Sequence, residues 1–441
     1  MTDIVFTEGE EIYRKSIGRY LSSDKVIGKM ALWLMVLITF AYPIVASIAT
    51  LVKIPTTPIN VGVRGLYVIL SLIILFLSIF KRNTYRFRWF NSLILIFWLC
   101  YAIRLVYDIE IMHIKERDFQ NITVYLFAFG NCMLPAFAMM VGSKYINLEQ
   151  LEKVIVRVLF VSNILVIILL AVQAGLSLEL FIIRQRILGV NKDNVINEIT
   201  LSFTGCQLFV FALNLLLLNN KSASKFYRLF LVICLFIGLF NLFVGGSRSP
   251  MILMSLLTIY TIGFYFKKKH RFSRFLNNFK VFAVIVLLGG LGVFAASKLK
   301  NVDFALLERL TQTTTERKKG EKEERDFMQE VAMEQFYSSP IVGHQYLNTY
   351  NYIYPHNILI EVLMALGAVG AILFYPFIGS LIYRLITIPL LDKKLFRLSN
   401  IIWLSLLVSL FSGSLWNSTD FWVLSVFWMN FNNSQPQEMD V

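Results

Sequence analysis

Tyr354-Pro355-His356-Asn357 stands where a long polar stretch meets an apolar one, and nine residues further on comes Gly367-Ala368-Val369-Gly370. A neutral imidazole is the side chain best suited to take a proton from a hydroxyl near neutral pH. Pro355 suits the first turn of a helix, where its missing N–H would be unsatisfied anyway. At 3.6 residues per turn, His356, Ile360, Leu363, Gly367 and Gly370 then share one stripe. The two glycines admit a neighbouring helix at close range, as small residues do in membrane bundles. At a helix start the dipole keeps the imidazole neutral and able to accept. The plain alternative is a capping histidine beside a glycine packing face. Chemistry alone leaves both open.

A second stretch, Gly245-Gly246-Ser247-Arg248-Ser249-Pro250, joins two apolar runs with almost no loop. Ser249 can cap the following helix and Pro250 can occupy its first turn. Glycines ahead of a helix start let backbone N–H groups converge on an anion, and Arg248 adds a fork suited to phosphate oxygens. Taken alone, an arginine snorkelling to the headgroups explains Arg248 as well. Asp108, Glu110, His113, Glu198 and Asp420 are further polar residues suited to sugar hydroxyls. Glu198 and Glu361 stand out because ionisable groups within a bilayer usually face a cavity. Glu361 falls on the opposite side of the helix from His356, which argues against its orienting that ring. No zinc spacing, Walker loop, dinucleotide fingerprint or nucleophile elbow is present, so neither metal nor cofactor is expected.

The elements that must position these residues are membrane helices. Of 441 residues, 57% are hydrophobic, which suits a multi-span protein and not a soluble one. Apolar runs fall at roughly 30–52, 62–80, 89–107, 122–141, 154–174, 199–218, 226–244, 250–266, 281–296, 366–388, 399–413 and 420–431. This predicts an all-α, polytopic fold with about twelve transmembrane helices, the last two short, in one transmembrane domain over 1–441. A long outward loop, 297–355, carries helical spacing at 304–310 and at 325–337, where Phe327, Val331 and Gln335 lie along one side. The charged run 316–324 between them reads as solvated surface. Lys and Arg concentrate in alternate loops: 81–88, 144–153, 221–228, 267–274 and 384–397. The positive-inside rule then places both termini in the cytoplasm and the His356 and Arg248 motifs outside. The net charge of +14 belongs to those loops and does not call for nucleic acid. Cys100, Cys132, Cys206 and Cys234 lie in apolar segments and read as small buried side chains.

His-Asn, nine residues, Gly-x-x-Gly resembles the signature of the bacterial O-antigen ligase/O-antigen polymerase superfamily, and Gly-Ser-Arg at 246–248 is similar to a second motif of it. Arg184 and Arg186, ahead of Gly189 and the asparagines 191, 194 and 197, resemble its arginine-bearing outward segment. Arg325, followed by Pro340 and Gly343, resembles its extracytoplasmic helix and Pro-x-x-Gly turn. The resemblance spans roughly 180–375. It implies a metal-independent glycosyltransferase of the bacterial cytoplasmic membrane, acting on undecaprenyl-diphosphate-linked glycan as donor and acceptor. Arg248, Arg186, Arg184, Arg325, Ser247 and Ser249 would meet the diphosphate, and His356 would deprotonate the acceptor. Membrane lipids and a chain-length regulator are the implied partners. A repeat-unit polymerase is the preferred reading and an O-antigen ligase its alternative. A glycolipid flippase is the competing class, but no internal repeat is visible.

Overall fold

The computed structural model describes residues 24–79, 88–117, 119–173, 187–188, 194–218, 224–268, 324–390 and 392–431. Arg184, Arg186, the apolar run 281–296, the helical spacing at 304–310 and the charged residues 316–323 lie outside them.

The described chain is helical, with one short antiparallel strand pair, Ile187–Leu188 and Asn194–Ile196. The helices are α1 (Asp24–Phe40), α2 (Tyr42–Leu51), α3 (Thr56–Ile79), α4 (Trp89–Val106), α5 (Asn121–Tyr125), α6 (Leu134–Gly142) and α7 (Leu148–Gln173). There follow α8 (Glu198–Leu218), α9 (Lys225–Gly245), α10 (Arg248–Lys268), α11 (Glu324–Ser338), α12 (Ile358–Thr387), α13 (Lys393–Ser412) and α14 (Thr419–Asn430). Among the described residues, eight helices are long and apolar enough to cross a membrane, or nine if the bent pair α1–α2 counts as one span. Of the twelve expected runs, 281–296 lies outside the described residues, and 250–266 and 420–431 are not among these spans. α14, twelve residues long, is shorter than the roughly twenty a span needs, and its aromatic residues are buried inside the bundle.

The cation-rich ends of the helices gather together. Arg397 donates to Glu152 through two 2.8 Å bonds, joining the starts of α7 and α13. Leu218, Phe264 and Phe396 share a cluster, which adds the ends of α8 and α10. Arg384 lies within electrostatic reach of Arg88. The alternation of Lys and Arg in the sequence therefore corresponds to one physical end of the bundle.

Glycine brings α8 and α9 into backbone contact. A Cβ on Gly205 would stand 2.5 Å from the Gly238 carbonyl oxygen, and one on Gly238 would stand 2.8 Å from that of Gly205. Asparagines join the remaining helices: Asn241 donates to Asn163, while Asn214 accepts from both Thr261 and Asn400. Buried amides pairing across helices satisfy part of the polar demand that a bilayer imposes, although the Asn241 and Asn400 amide oxygens stay unpaired among the described residues.

Candidate active site

His356 is not in a helix. Its φ of 57° is left-handed, and α12 begins two residues later behind Asn357, whose side chain accepts from the Leu359 and Ile360 amides. Pro355 therefore precedes the cap instead of filling the first turn, and the stripe of His356, Ile360 and Leu363 is not formed. The asparagine of the His-Asn pair does the capping. This frees the histidine from helical geometry and turns its ring back over the end of α13.

There the Ser412 backbone lies close enough to raise the proton affinity of the imidazole, and the Tyr354 ring meets it edge-on at 4.6 Å between centroids. Ring nitrogen Nδ1 is buried with no hydrogen-bond partner among the described residues. Burial chiefly, and the Arg325 charge next, push His356 down to about 4, partly offset by the Ser412 bond. Arg325, in the first turn of α11, donates to the Phe411 carbonyl at 3.4 Å. His356 and Arg325 thus meet at the C-terminal end of α13, although thirty-one positions separate them in the chain.

Glu361 supports this arrangement. It is fully buried and accepts from the Tyr101 hydroxyl at 3.0 Å and from the Leu415 amide at 2.9 Å. By accepting from Leu415 it ties α12 to the segment that follows Ser412, a link through a distant loop that helical spacing does not reveal.

Gly367 adopts φ 60°, ψ −148°, a conformation open essentially to glycine, and breaks α12. Nearest to its missing Cβ among the described residues is the turn Pro340–Gly343: a Cβ on Gly367 would stand 2.6 Å from the Gly343 nitrogen, and one on Gly343 2.5 Å from the Ala365 oxygen. Backbone groups released by the break find partners in the turn, Ala368 donating to Pro340, Val369 to Ile341, and His344 to Met364. Gly370 adjoins Leu366 and Val362 across the same break, so the expected helix-packing role of both glycines is corrected. Arg104 clasps the turn from α4, donating to the carbonyls of Val342, Gly343 and His344, and Asp108 accepts from the Tyr346 amide. Asp108, proposed for sugar hydroxyls, is buried and engaged in this clamp. Asp420 is engaged as well, accepting from Ser405, and Glu110 accepts from Tyr125.

In the second motif, Gly246 ends α9 in the left-handed conformation and Ser247 donates its amide to Ser202. α10 starts at Arg248, so Ser249 lies within its first turn instead of capping it. The Gly246 amide is also used, donating to Leu242, which removes two of the N–H groups expected to converge on an anion. α10 runs beside α8, Ser247 next to Ser202 and Thr261 next to Asn214. It runs antiparallel to α13, Phe264 stacking on Phe396 and Thr261 adjoining Asn400. Arg248 and Ser412 consequently lie at the same end of the bundle, opposite the cation-rich loops.

A further cation escaped the sequence reading. The Arg64 guanidinium lies 3.7 Å from the centre of the Phe127 ring, and Phe127 stands edge-on to Trp416, which in turn adjoins Tyr354. A single arginine within the apolar run 62–80 was the available signal, as was Arg104 within 89–107.

α11 is formed as its spacing predicts, but its buried side is Met328, Ala332 and Gln335, with Phe327 turned outward. Gln335 donates to Leu347 and accepts from Thr349, bracing the segment that leads to His356.

Residues 230–375 match the family model described as O-Antigen ligase. That stretch contains Arg248, Arg325, His356, Gly367 and Gly370, and excludes Arg184 and Arg186. No curated protein and no solved structure matches the chain.

Proposed function

Residues 230–375 form an O-Antigen ligase domain within a multi-pass membrane protein, and from that premise we propose that the chain is a polymerase of polyprenyl-diphosphate-linked oligosaccharide repeat units. Members of the family are ligase- or polymerase-type glycosyltransferases acting on lipid-linked glycans. The observation that carries the reading is the unpaired, buried Nδ1 of His356 beside the Arg325 charge.

In the reaction, an acceptor hydroxyl gives its proton to His356 Nδ1 and its oxygen bonds to the donor's anomeric carbon. The bond from that carbon to the diphosphate oxygen breaks, and the polyprenyl diphosphate leaves with the electron pair. Arg325 and Arg248 offset the charge that develops on the leaving group, and being already in place they do so without reorganisation. Arg184 and Arg186, with Ser247 and Ser249, complete the proposed diphosphate contacts. An imidazole held near 4 is a weak base. An entering diphosphate counters the Arg325 field and lifts the imidazole toward its ordinary value, so that base strength grows once the donor is seated.

The test is reconstitution in vesicles with a lipid-linked repeat unit. Wild type should extend it into longer chains, whereas His356→Ala and Arg248→Ala should insert normally yet elongate about a hundredfold to ten-thousandfold more slowly. Full elongation by both variants would remove the assignment. In cells lacking the protein, single units left on the carrier support a polymerase; long chains stranded there would indicate a ligase.

A further inference from the structure

An open cavity of about 560 Å³ lies between the loop 115–117, the first residue of α11 and the loop 350–352. Glu116 accepts from the Phe119 amide, Asn351 donates to the Met328 sulfur while accepting from the Ile353 amide, and the Tyr350 ring stands edge-on to Phe327 at 4.8 Å between centroids. Tyr350 is still 63% exposed and Tyr352 47%, with exposed Lys115, Arg117 and Glu324 around them.

Each wall of this cavity continues into the candidate active site. Glu324 precedes Arg325. Tyr352 precedes Tyr354 and His356 on the same strand of chain. Arg117 donates its amide to Tyr352, and two residues on Phe119 stands edge-on to Trp416, the neighbour of Tyr354. All three segments lead from the cavity to the imidazole within a few residues. A second cavity, of about 620 Å³ beside Arg104, is bordered largely by Ile103, Met112, Val342 and Val369 and suits a lipid better.

Two exposed phenol rings among ammonium, guanidinium and carboxylate groups suit a ligand that has apolar C–H faces and many hydroxyls. That is the chemistry of a pyranose. We propose that the cavity framed by Lys115, Tyr350 and Tyr352 is a saccharide subsite that holds the glycan of the acceptor with its end directed at His356. This extends the glycosyl-transfer reading and rests on it for the direction of the acceptor.

The probe is the repeat-unit oligosaccharide released from its lipid by mild acid, its binding to purified full-length protein followed by saturation-transfer NMR and titration. Wild type and His356→Ala should bind alike. Tyr350→Ala, Lys115→Ala and Tyr352→Asn should each weaken binding about tenfold. Asparagine serves at 352 because it tolerates the left-handed backbone found there. Binding unchanged in all three variants, or no binding by wild type, would overturn the subsite. Elongation by His356→Ala in the same preparation would instead overturn the catalytic reading and leave the subsite standing.

Discussion

The helix pair α8–α9 and the broken helix α12 both depend on glycine, and they use it in opposite ways. Between α8 and α9, Gly205 and Gly238 keep regular helical geometry and let two backbones touch. In α12, Gly367 abandons helical geometry and lets a turn enter the break. The first arrangement leaves both helical ladders unbroken at the contact, so packing is what is at stake. The second opens the helical ladder in an apolar setting and survives because the Pro340–Gly343 turn, clasped by Arg104, satisfies the opened groups. Rigidity is therefore built from packing at one place and from a polar clamp at the other; Arg248 follows the packed pair and His356 precedes the clamped helix.

The strongest way to break this contrast is Gly205→Leu. With backbone atoms of Gly238 and Leu242 within about 2.6 Å of a Cβ, neither helix can yield locally. A loss of about 3 kcal/mol or more is expected, read as failure to recover folded protein by size-exclusion chromatography. Normal recovery would show that the α8–α9 contact is not essential.

Gly367→Ala should be milder in folding and severe in activity. The left-handed backbone and the contact with Gly343 together cost about 1–3 kcal/mol, lowering Tm while the protein still inserts. Elongation should be lost, because the turn leading to His356 is displaced. An active variant with unchanged Tm would refute the clamp.

Glu361→Gln sharpens the comparison, since it alters one acceptor without changing shape. Its amide nitrogen cannot accept, so with Oε1 kept by the Leu415 amide it must donate to the Tyr101 oxygen, which strands the buried phenol proton at a cost of about 1–3 kcal/mol. Elongation should fall about tenfold at intact insertion, with a changed pH profile because the Ser412 backbone moves. A purely structural residue would lower Tm and leave that profile alone.

The smallest effect concerns pH. His356 stays neutral until pH falls to about 4, whereas in the unfolded chain it takes up its proton near 6.5. The unfolded state thus binds protons first, and His356 makes stability decline as pH drops through that window. The acid limb of kcat/KM, which reports the free enzyme, should lie near 4, and that of kcat should lie higher because the bound diphosphate offsets Arg325. Coincident limbs would argue against a diphosphate at Arg325.

Much of the bundle was legible because bilayers reward patterns local to the sequence. Runs of about twenty apolar residues mark most of the spans, and alternating cationic loops mark one end of them. α14 was misjudged as a span because an apolar run of twelve looks alike whether lipid or protein surrounds it. His356 and Arg325 were legible as residue types whose family order implies one site, and the place of their meeting, the end of α13, was not.

By itself the sequence determined the all-α membrane class, the cation-rich end, and the presence of a histidine and arginines suited to phosphate-ester chemistry, since composition and short periodicities carry that information. Only the tertiary structure decided that Asn357 caps while His356 leaves the helix, that Gly367 breaks α12, and that Glu361, Arg104 and Asp108 act as supports. These depend on contacts between residues tens to hundreds of positions apart, on which local propensity is silent.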